Sequence, residues 1–209
     1  MDIGQINYED NALGQHIVRL SSLPEVKNIV EIGTWNGLGT TRCVLHGISI
    51  GPEKKYDFYS IECSSECYIE AINNNCKHIN KNIHFIYGKI IDETQLSSWF
   101  DINILTEEQR GWLLQDFTWM SRVPNVLDKL PNSIDLLILD GGEFSTYLEW
   151  NTLKNISNFV ALDDTTQLKC CKIRQEVIES NNWEIIEDCP TGSKNGFMVI
   201  KNIKNNEKN

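Results

Sequence analysis

Short apolar runs alternate along this chain with stretches whose apolar residues recur every three or four positions. The first pattern suits strands buried on both faces and the second suits amphipathic helices. Read in order, a helix is expected from about Ala12 to Leu20, with Ile17 and Leu20 on one face. A strand over Asn28–Ile32, a helix over about Leu38–His46 and a loop from Gly47 to Lys55 follow. Tyr56–Ile61, closed by Glu62, reads as a second strand, and Ser64 or Ser65 can cap a helix carrying Tyr68, Ile69 and Ile72. Ile83–Tyr87 is a third strand, ending at Gly88. From about Asp92 to Pro131 the alternation breaks. Thr106 and Gln109 have capping-box spacing ahead of a helix with Trp112, Leu113, Leu114 and Phe117, and Pro124 is placed to open another short helix. Regularity returns with a strand at Ile134–Leu139, a helix over about Ser145–Lys154, a strand at Phe159–Leu162 and a helix over Gln167–Ser180. Strands at Trp183–Glu187 and Phe197–Ile200, joined by a turn rich in Pro, Gly, Ser and Asn, close the pattern.

Strands alternating with helices imply an α/β fold, a parallel sheet covered on both faces in a Rossmann-like three-layer sandwich. The length, 209 residues, fits one domain over 1–200, with an aromatic-rich helical insert at about 92–131 and a polar tail, 201–209, expected to fray. No apolar run approaches a membrane span, and no basic segment followed by an apolar core is visible at the N-terminus, so a cytoplasmic protein with no membrane partner is expected. The net charge of −10 argues against nucleic acid, whose binding relies on Lys and Arg neutralising phosphates. An odd number of cysteines, seven, suggests reduced thiols. Cys63, Cys67, Cys76 and His78 form C-x3-C-x8-C-x-H, which matches no zinc spacing, so inert thiols are the reading kept. His16, His46, His78 and His84 fall in helices, at their ends or inside a strand, as structural or exposed side chains rather than catalytic ones.

The densest chemistry follows the first strand, in Val30-Glu31-Ile32-Gly33-Thr34-Trp35-Asn36-Gly37-Leu38-Gly39-Thr40-Thr41. Glycines at relative positions zero, four and six make a side-chain-poor turn at a helix N-terminus, where backbone N–H groups can approach a ligand. The dinucleotide fingerprint needs positions zero, two and five instead. The observed spacing resembles motif I of the class I S-adenosylmethionine-dependent methyltransferases. The resemblance implies S-adenosyl-L-methionine as cofactor and a mostly parallel seven-stranded sheet with an antiparallel last strand. It assigns cofactor contacts to Glu31, Gly33, Thr34, Trp35, Asn36 and Gly37. Glu62 lies 23 residues beyond Gly39, where a carboxylate can accept both hydroxyls of a ribose. In the family the corresponding acid is the ribose clamp, which places Cys63 beside the adenosine. Many relatives follow the glycine after the third strand with an acid. Here Gly88-Lys89-Ile90-Ile91 stands instead, and main-chain groups at Gly88 and Lys89 are the expected adenine contacts.

Asp140 and the pair Asp163-Asp164 end two strands joined by one crossover, so their carboxylates are expected to converge. Three oxygen ligands without His or Cys suit Mg²⁺ or another hard divalent cation. A helix cap with a solvated neighbour at Asp163-Asp164, and a cofactor or substrate hydrogen bond at Asp140, are the plain alternatives. The segments Leu139-Asp140-Gly141-Gly142-Glu143-Phe144-Ser145-Thr146 and Leu162-Asp163-Asp164-Thr165 look like those of sugar O-methyltransferases of macrolide and polysaccharide pathways. That resemblance implies methylation of a sugar, glycan or other small-molecule hydroxyl, with Asp140, Asp163 and Glu143 as candidate catalytic carboxylates. A metal on Asp140, Asp163 and Asp164 lowers the hydroxyl pKa; without one, Asp140 or Glu143 takes the proton. Trp99, Phe100, Trp112, Phe117 and Trp119 in the insert form either a lid or a satellite core, and Trp35 is expected to touch ligand. A non-catalytic S-adenosylmethionine- or nucleoside-binding protein and an NAD-dependent sugar-modifying enzyme are the rival readings. Association into a homo-oligomer is left open.

Overall fold

The computed structural model describes residues 6–191 and 195–204. Strands β1 (Asn28–Ile32), β2 (Asp57–Glu62), β3 (Ile83–Tyr87), β4 (Ile134–Leu139), β5 (Ser157–Asp163), β6 (Trp183–Cys189) and β7 (Phe197–Asn202) build one seven-stranded sheet in the order β3-β2-β1-β4-β5-β7-β6. The pairs β1–β2, β1–β4, β2–β3 and β4–β5 are parallel, and β7 runs antiparallel between β5 and β6. This is the Rossmann-like, mostly parallel sheet that the alternation predicted, with the antiparallel last strand that the family resemblance implied.

Among the described residues six α-helices complete the layers: α1 (Ala12–Ser22), α2 (Thr40–Ile50), α3 (Ser65–Asn75), α4 (Glu107–Met120), α5 (Thr146–Leu153) and α6 (Leu168–Glu179). Successive residues of a strand point to opposite faces, and β4 shows both faces buried. Leu136 and Ile138 join Leu13, Ile17, Leu20 and Val44 of α1 and α2 in one core. Leu137 and Leu139 join Trp150, Ile173 and Val177 of α5 and α6, with Met120 of α4, in the other. Asn11 caps α1, Ser64 caps α3, and Thr106 with Gln109 makes the expected capping box of α4.

Several boundaries differ from the sequence expectation. α2 runs to Ile50 through what read as a loop, because Gly47 is where α2 crosses α1; a Cβ there would lie 2.0 Å from Ser21 Oγ. Its start moves to Thr40, since Gly39 holds a non-helical backbone, φ −94° and ψ −115°. Pro124 opens no helix. The segment beside it runs extended, Asn125 bridges to Lys89, and a 3₁₀ turn begins only at Leu127. β7 continues into the expected tail, with buried Asn202 donating through Nδ2 to the Ser157 carbonyl at 3.1 Å. The rest of that tail (205–209), the segment 1–5 and residues 192–194 of the closing turn lie outside the described residues.

The aromatics of the insert fall in three places. Trp99 and Phe100 pack on Phe144 and Tyr147, and Trp99 Nε1 donates to the Phe144 carbonyl at 3.0 Å. Trp112, Leu114 and Phe117 are exposed, while Asp116, Trp119 and Met120 of the same helix face the cavity described below. All seven cysteines are free thiols. No helix among the described residues is long and apolar enough to cross a membrane.

Candidate functional site

A cavity of about 580 Å³ opens at the carboxyl ends of β1, β2, β4 and β5, where ligands of open α/β sheets bind. Its wall at β1 is the glycine turn. Gly33 has φ 91°, and a Cβ there would stand 2.1 Å from the Asp140 carbonyl oxygen. The turn is laced to both neighbours: the Gly33 N–H donates to the Ile61 carbonyl, and the Asp140 N–H donates to the Ile32 carbonyl, each at 3.0 Å. Trp35 also has a positive φ, 49°, and its ring is 42% exposed at the rim. That conformation aims the Trp35 N–H at Glu62 Oε2, 2.7 Å away, while the Ser64 N–H donates to Glu62 Oε1 at 2.8 Å. The Glu62 carboxylate is thus fixed at the cavity by the backbone on both sides, with acceptor capacity left on each oxygen. Burial raises its pKa against the pull of these donors.

Thr34, Cys63, Gly88 and Lys89 also line the cavity. Both N–H groups of the main chain expected to hold adenine donate to other main-chain carbonyls. The Gly88 N–H donates to the Glu62 carbonyl and the Lys89 N–H to the Pro124 carbonyl, both at 3.0 Å, and the Lys89 carbonyl accepts from Val126 N–H at 2.8 Å. The segment beside Pro124 takes the two Lys89 groups.

Glu31, Asn36 and Gly37 lie outside the cavity lining. Glu31 is fully buried beneath the turn and accepts from Thr40 Oγ1 (2.5 Å), Thr41 Oγ1 (2.7 Å) and Ser60 Oγ (2.5 Å). Burial pushes its pKa to about 7 although these hydroxyls oppose the rise. It joins β1, β2 and the start of α2, supporting the turn from below. Asn36 and Gly37 are tied to α3, their carbonyls accepting from Asn74 Nδ2 and Asn75 Nδ2 at 2.9 Å.

The acids at the ends of β4 and β5 do converge. Carboxylate oxygens of Asp140, Asp163 and Asp164 lie within 4.8 Å of one another, the one grouping of three or more potential metal ligands among the described residues. Asp164 holds φ 55°, uncommon for a non-glycine residue, and Asn195 Nδ2 donates to its Oδ1 at 2.8 Å. Sequence reasoning missed the fourth member. Lys169 Nζ sits 2.7 Å from Asp140 Oδ1 and 2.7 Å from Asp164 Oδ2, with its side chain 7% exposed. A metal ion between those oxygens would meet that ammonium at close range, so the residues as arranged fit a carboxylate–ammonium cluster and not a divalent cage. Glu143 lies outside the lining, and its Oε1 accepts from the Lys169 N–H at 3.1 Å. Asp163 faces the cavity without an ion pair to Lys169, and burial, followed by the neighbouring Asp140 charge, lifts its pKa to about 7.

Two further acids were missed. Asp116 of α4 accepts from the Phe144 N–H at 2.9 Å through Oδ2, and burial lifts its pKa to about 6. Glu149 of α5 is wholly buried; its Oε2 finds no hydrogen-bond partner, and desolvation lifts its pKa to about 8. Both line the cavity.

No protein-family model matches the sequence, and no curated protein matches it. Solved structures do match. The fold is similar to that of a methyltransferase of Podospora anserina bound to S-adenosylhomocysteine, at 13% identity and TM-score 0.59 over 90% of this chain and 77% of that one. It is similar to an O-methyltransferase from Bacillus cereus in complex with the same compound, at 11% identity and TM-score 0.59 over 95% and 84%. A methyltransferase from Geobacter sulfurreducens matches at 10% identity and TM-score 0.58 over 95% and 82%. At these identities the likeness is one of fold: the chain shares the seven-stranded α/β architecture of these methyltransferases.

Proposed function

We propose that this protein is an S-adenosylmethionine-dependent methyltransferase that methylates a hydroxyl of a sugar, glycan or other small molecule. The observation that carries the reading is the Glu62 carboxylate, held at the cavity by two main-chain donors beside a turn whose closest wall admits no side chain. A carboxylate so placed accepts the paired hydroxyls of a ribose. Gly33 with Gly141 and Gly142 lets a ligand approach main chain directly. The two similar folds solved with S-adenosylhomocysteine support the same cofactor. When bound, that cofactor supplies a methyl group on a positively charged sulfur, a centre with a good leaving group.

The chain's own residues bias what can be methylated. Glu62, Asp116, Asp140, Glu149, Asp163 and Asp164 line the cavity, outnumbering Lys89, which is itself paired with Glu93, and Lys169, which offsets Asp140 and Asp164. Such a wall favours a cationic cofactor and disfavours a phosphorylated or carboxylated acceptor. Asp140 and Asp164 are tied to Lys169 and Glu143 faces away, which leaves Asp163 to take the hydroxyl proton. General-base catalysis contributes about 10²–10⁴-fold. Asp163→Asn is therefore expected to lower kcat by about that factor while leaving S-adenosylhomocysteine affinity nearly unchanged. Because the base works deprotonated, wild-type kcat/KM should rise with pH through about 7 and then level. Transfer of labelled methyl to a panel of hydroxyl acceptors measures both; a profile flat from acid to alkaline pH would remove Asp163 from the role.

Cofactor choice is tested by thermal shift and calorimetry with S-adenosylhomocysteine, NAD and NADP. A ligand at 100 times its Kd stabilises by about 2.7 kcal/mol. For a chain of this size that corresponds to about 5–10 °C. Stabilisation of that order by S-adenosylhomocysteine alone is expected. Stabilisation by a dinucleotide alone would overturn the reading, and a bound cofactor with no transfer to any hydroxyl would point to a nucleoside-binding protein.

A further inference from the structure

Lys169 occupies a place where a lysine is costly. It lies in the first turn of α6, at the helix end whose dipole disfavours cations, and its side chain is almost completely out of solvent. Burial pulls its pKa down, yet Asp140 and Asp164 outweigh burial and hold it above the ordinary lysine range. The position of the ammonium is set from several sides. The Lys169 N–H is anchored on Glu143, and Asp164 is held by Asn195 in its left-handed backbone conformation. Asp140 projects from the end of β4, whose main chain is locked to β1. Three carboxylates this close cannot all stay ionised without a positive charge among them. A divalent ion is one solution; a tethered ammonium is another, and two cations in that volume repel.

We propose that Lys169 is the built-in cation of this centre, standing between Asp140 and Asp164 where a divalent ion would otherwise sit, so that the protein binds no divalent ion there and works without one. The assignment rests on the proposed methyl transfer for its catalytic meaning. Lys169 acts as a positioning residue: it keeps Asp140 and Asp164 ionised and in place, and leaves Asp163 turned to the acceptor.

The test is Mn²⁺ binding to the full chain, followed by electron paramagnetic resonance, with S-adenosylhomocysteine affinity measured by calorimetry on the same samples. Wild-type protein is expected to bind no Mn²⁺ with a Kd below about 1 mM. Its methyl transfer and its S-adenosylhomocysteine affinity should be unchanged by EDTA. Lys169→Met frees the carboxylates and should gain Mn²⁺ affinity by about tenfold or more. Lys169→Arg keeps a cation in place and should gain none. Sub-millimolar Mn²⁺ binding by wild type that Asp164→Asn abolishes would overturn the proposal. So would a folded Lys169→Met protein with no gain. Should Lys169→Met fail to fold, the wild-type measurement decides alone. A wild-type protein that binds neither Mn²⁺ nor S-adenosylhomocysteine would refute the methyltransferase reading while leaving the cation assignment standing.

Discussion

Replacing Gly33 with alanine is expected to destabilise the protein by about 3 kcal/mol and to abolish measurable binding of S-adenosylhomocysteine. A left-handed backbone costs an L-residue about 1–2 kcal/mol, and Gly33 has φ 91°. The added methyl would stand 2.1 Å from the Asp140 carbonyl oxygen, well inside contact distance. Relief requires backbone movement, and overpacking of this kind adds about 1–3 kcal/mol. Neither strand can retreat freely, because β1 is bonded to β2 and β4 on both sides of the turn. For a chain of this size the melting temperature should fall by about 10 °C. Whatever shift relieves the clash moves Gly33 and Asp140 together, and these form one wall of the cavity. Urea unfolding and calorimetry check the two halves separately. Wild-type affinity in Gly33→Ala would mean that the ligand does not use this turn.

Stability should fall as pH rises from about 4.5 through about 8, and Glu149→Gln should remove the largest single share of that fall. Glu149 has a pKa of about 8 in the folded protein against 4.5 for the ordinary side chain, because burial disfavours its charge. Between those values the folded state keeps a proton that the unfolded chain gives up. Stability is therefore full below the unfolded pKa and lost as pH rises through the folded one. Glu31 and Asp163, both raised to about 7, and Asp116, raised to about 6, add in the same direction. At about 1.4 kcal/mol for each unit of pKa displacement, Glu149 alone corresponds to a few kcal/mol. Glutamine reproduces the protonated shape without the ability to ionise. The variant should match wild type near pH 4, below the unfolded pKa, and exceed it by a few kcal/mol near pH 8.5, read from urea midpoints at each pH. A wild-type curve flat across this range would show that Glu149 ionises without penalty.

What was readable in the chain follows a physical division. Gly33 and Glu62 could be found because a tight turn after a strand demands glycine, and a strand end carries its next residue to the ligand edge of the sheet. The convergence of Asp140, Asp163 and Asp164 followed from the same strand-end geometry, and β4 and β5 are indeed neighbours. Glu31 and Asn36, though beside the same turn, were assigned to the cofactor. Their direction depends on φ at Gly33, Trp35 and Gly37 and on α3 docking against the turn. Lys169 was missed. A lysine in the first turn, flanked by Leu168 and Cys170 and close after an acid pair, was the available signal. Asp116 and Glu149 carried weaker ones, since a single acid in an amphipathic helix is ordinarily solvated.

Apolar periodicity, turn glycines and strand-end acids determined the sheet, its order of helices and the edge where a ligand would sit. These depend on sterics and burial between near neighbours in the chain. Docking of α4, α5 and α6 brought Asp116 and Glu149 to the cavity and set Lys169 between Asp140 and Asp164. Those placements depend on desolvation and on distances of a few ångströms between segments far apart in the chain, and such distances exist only once the layers have packed.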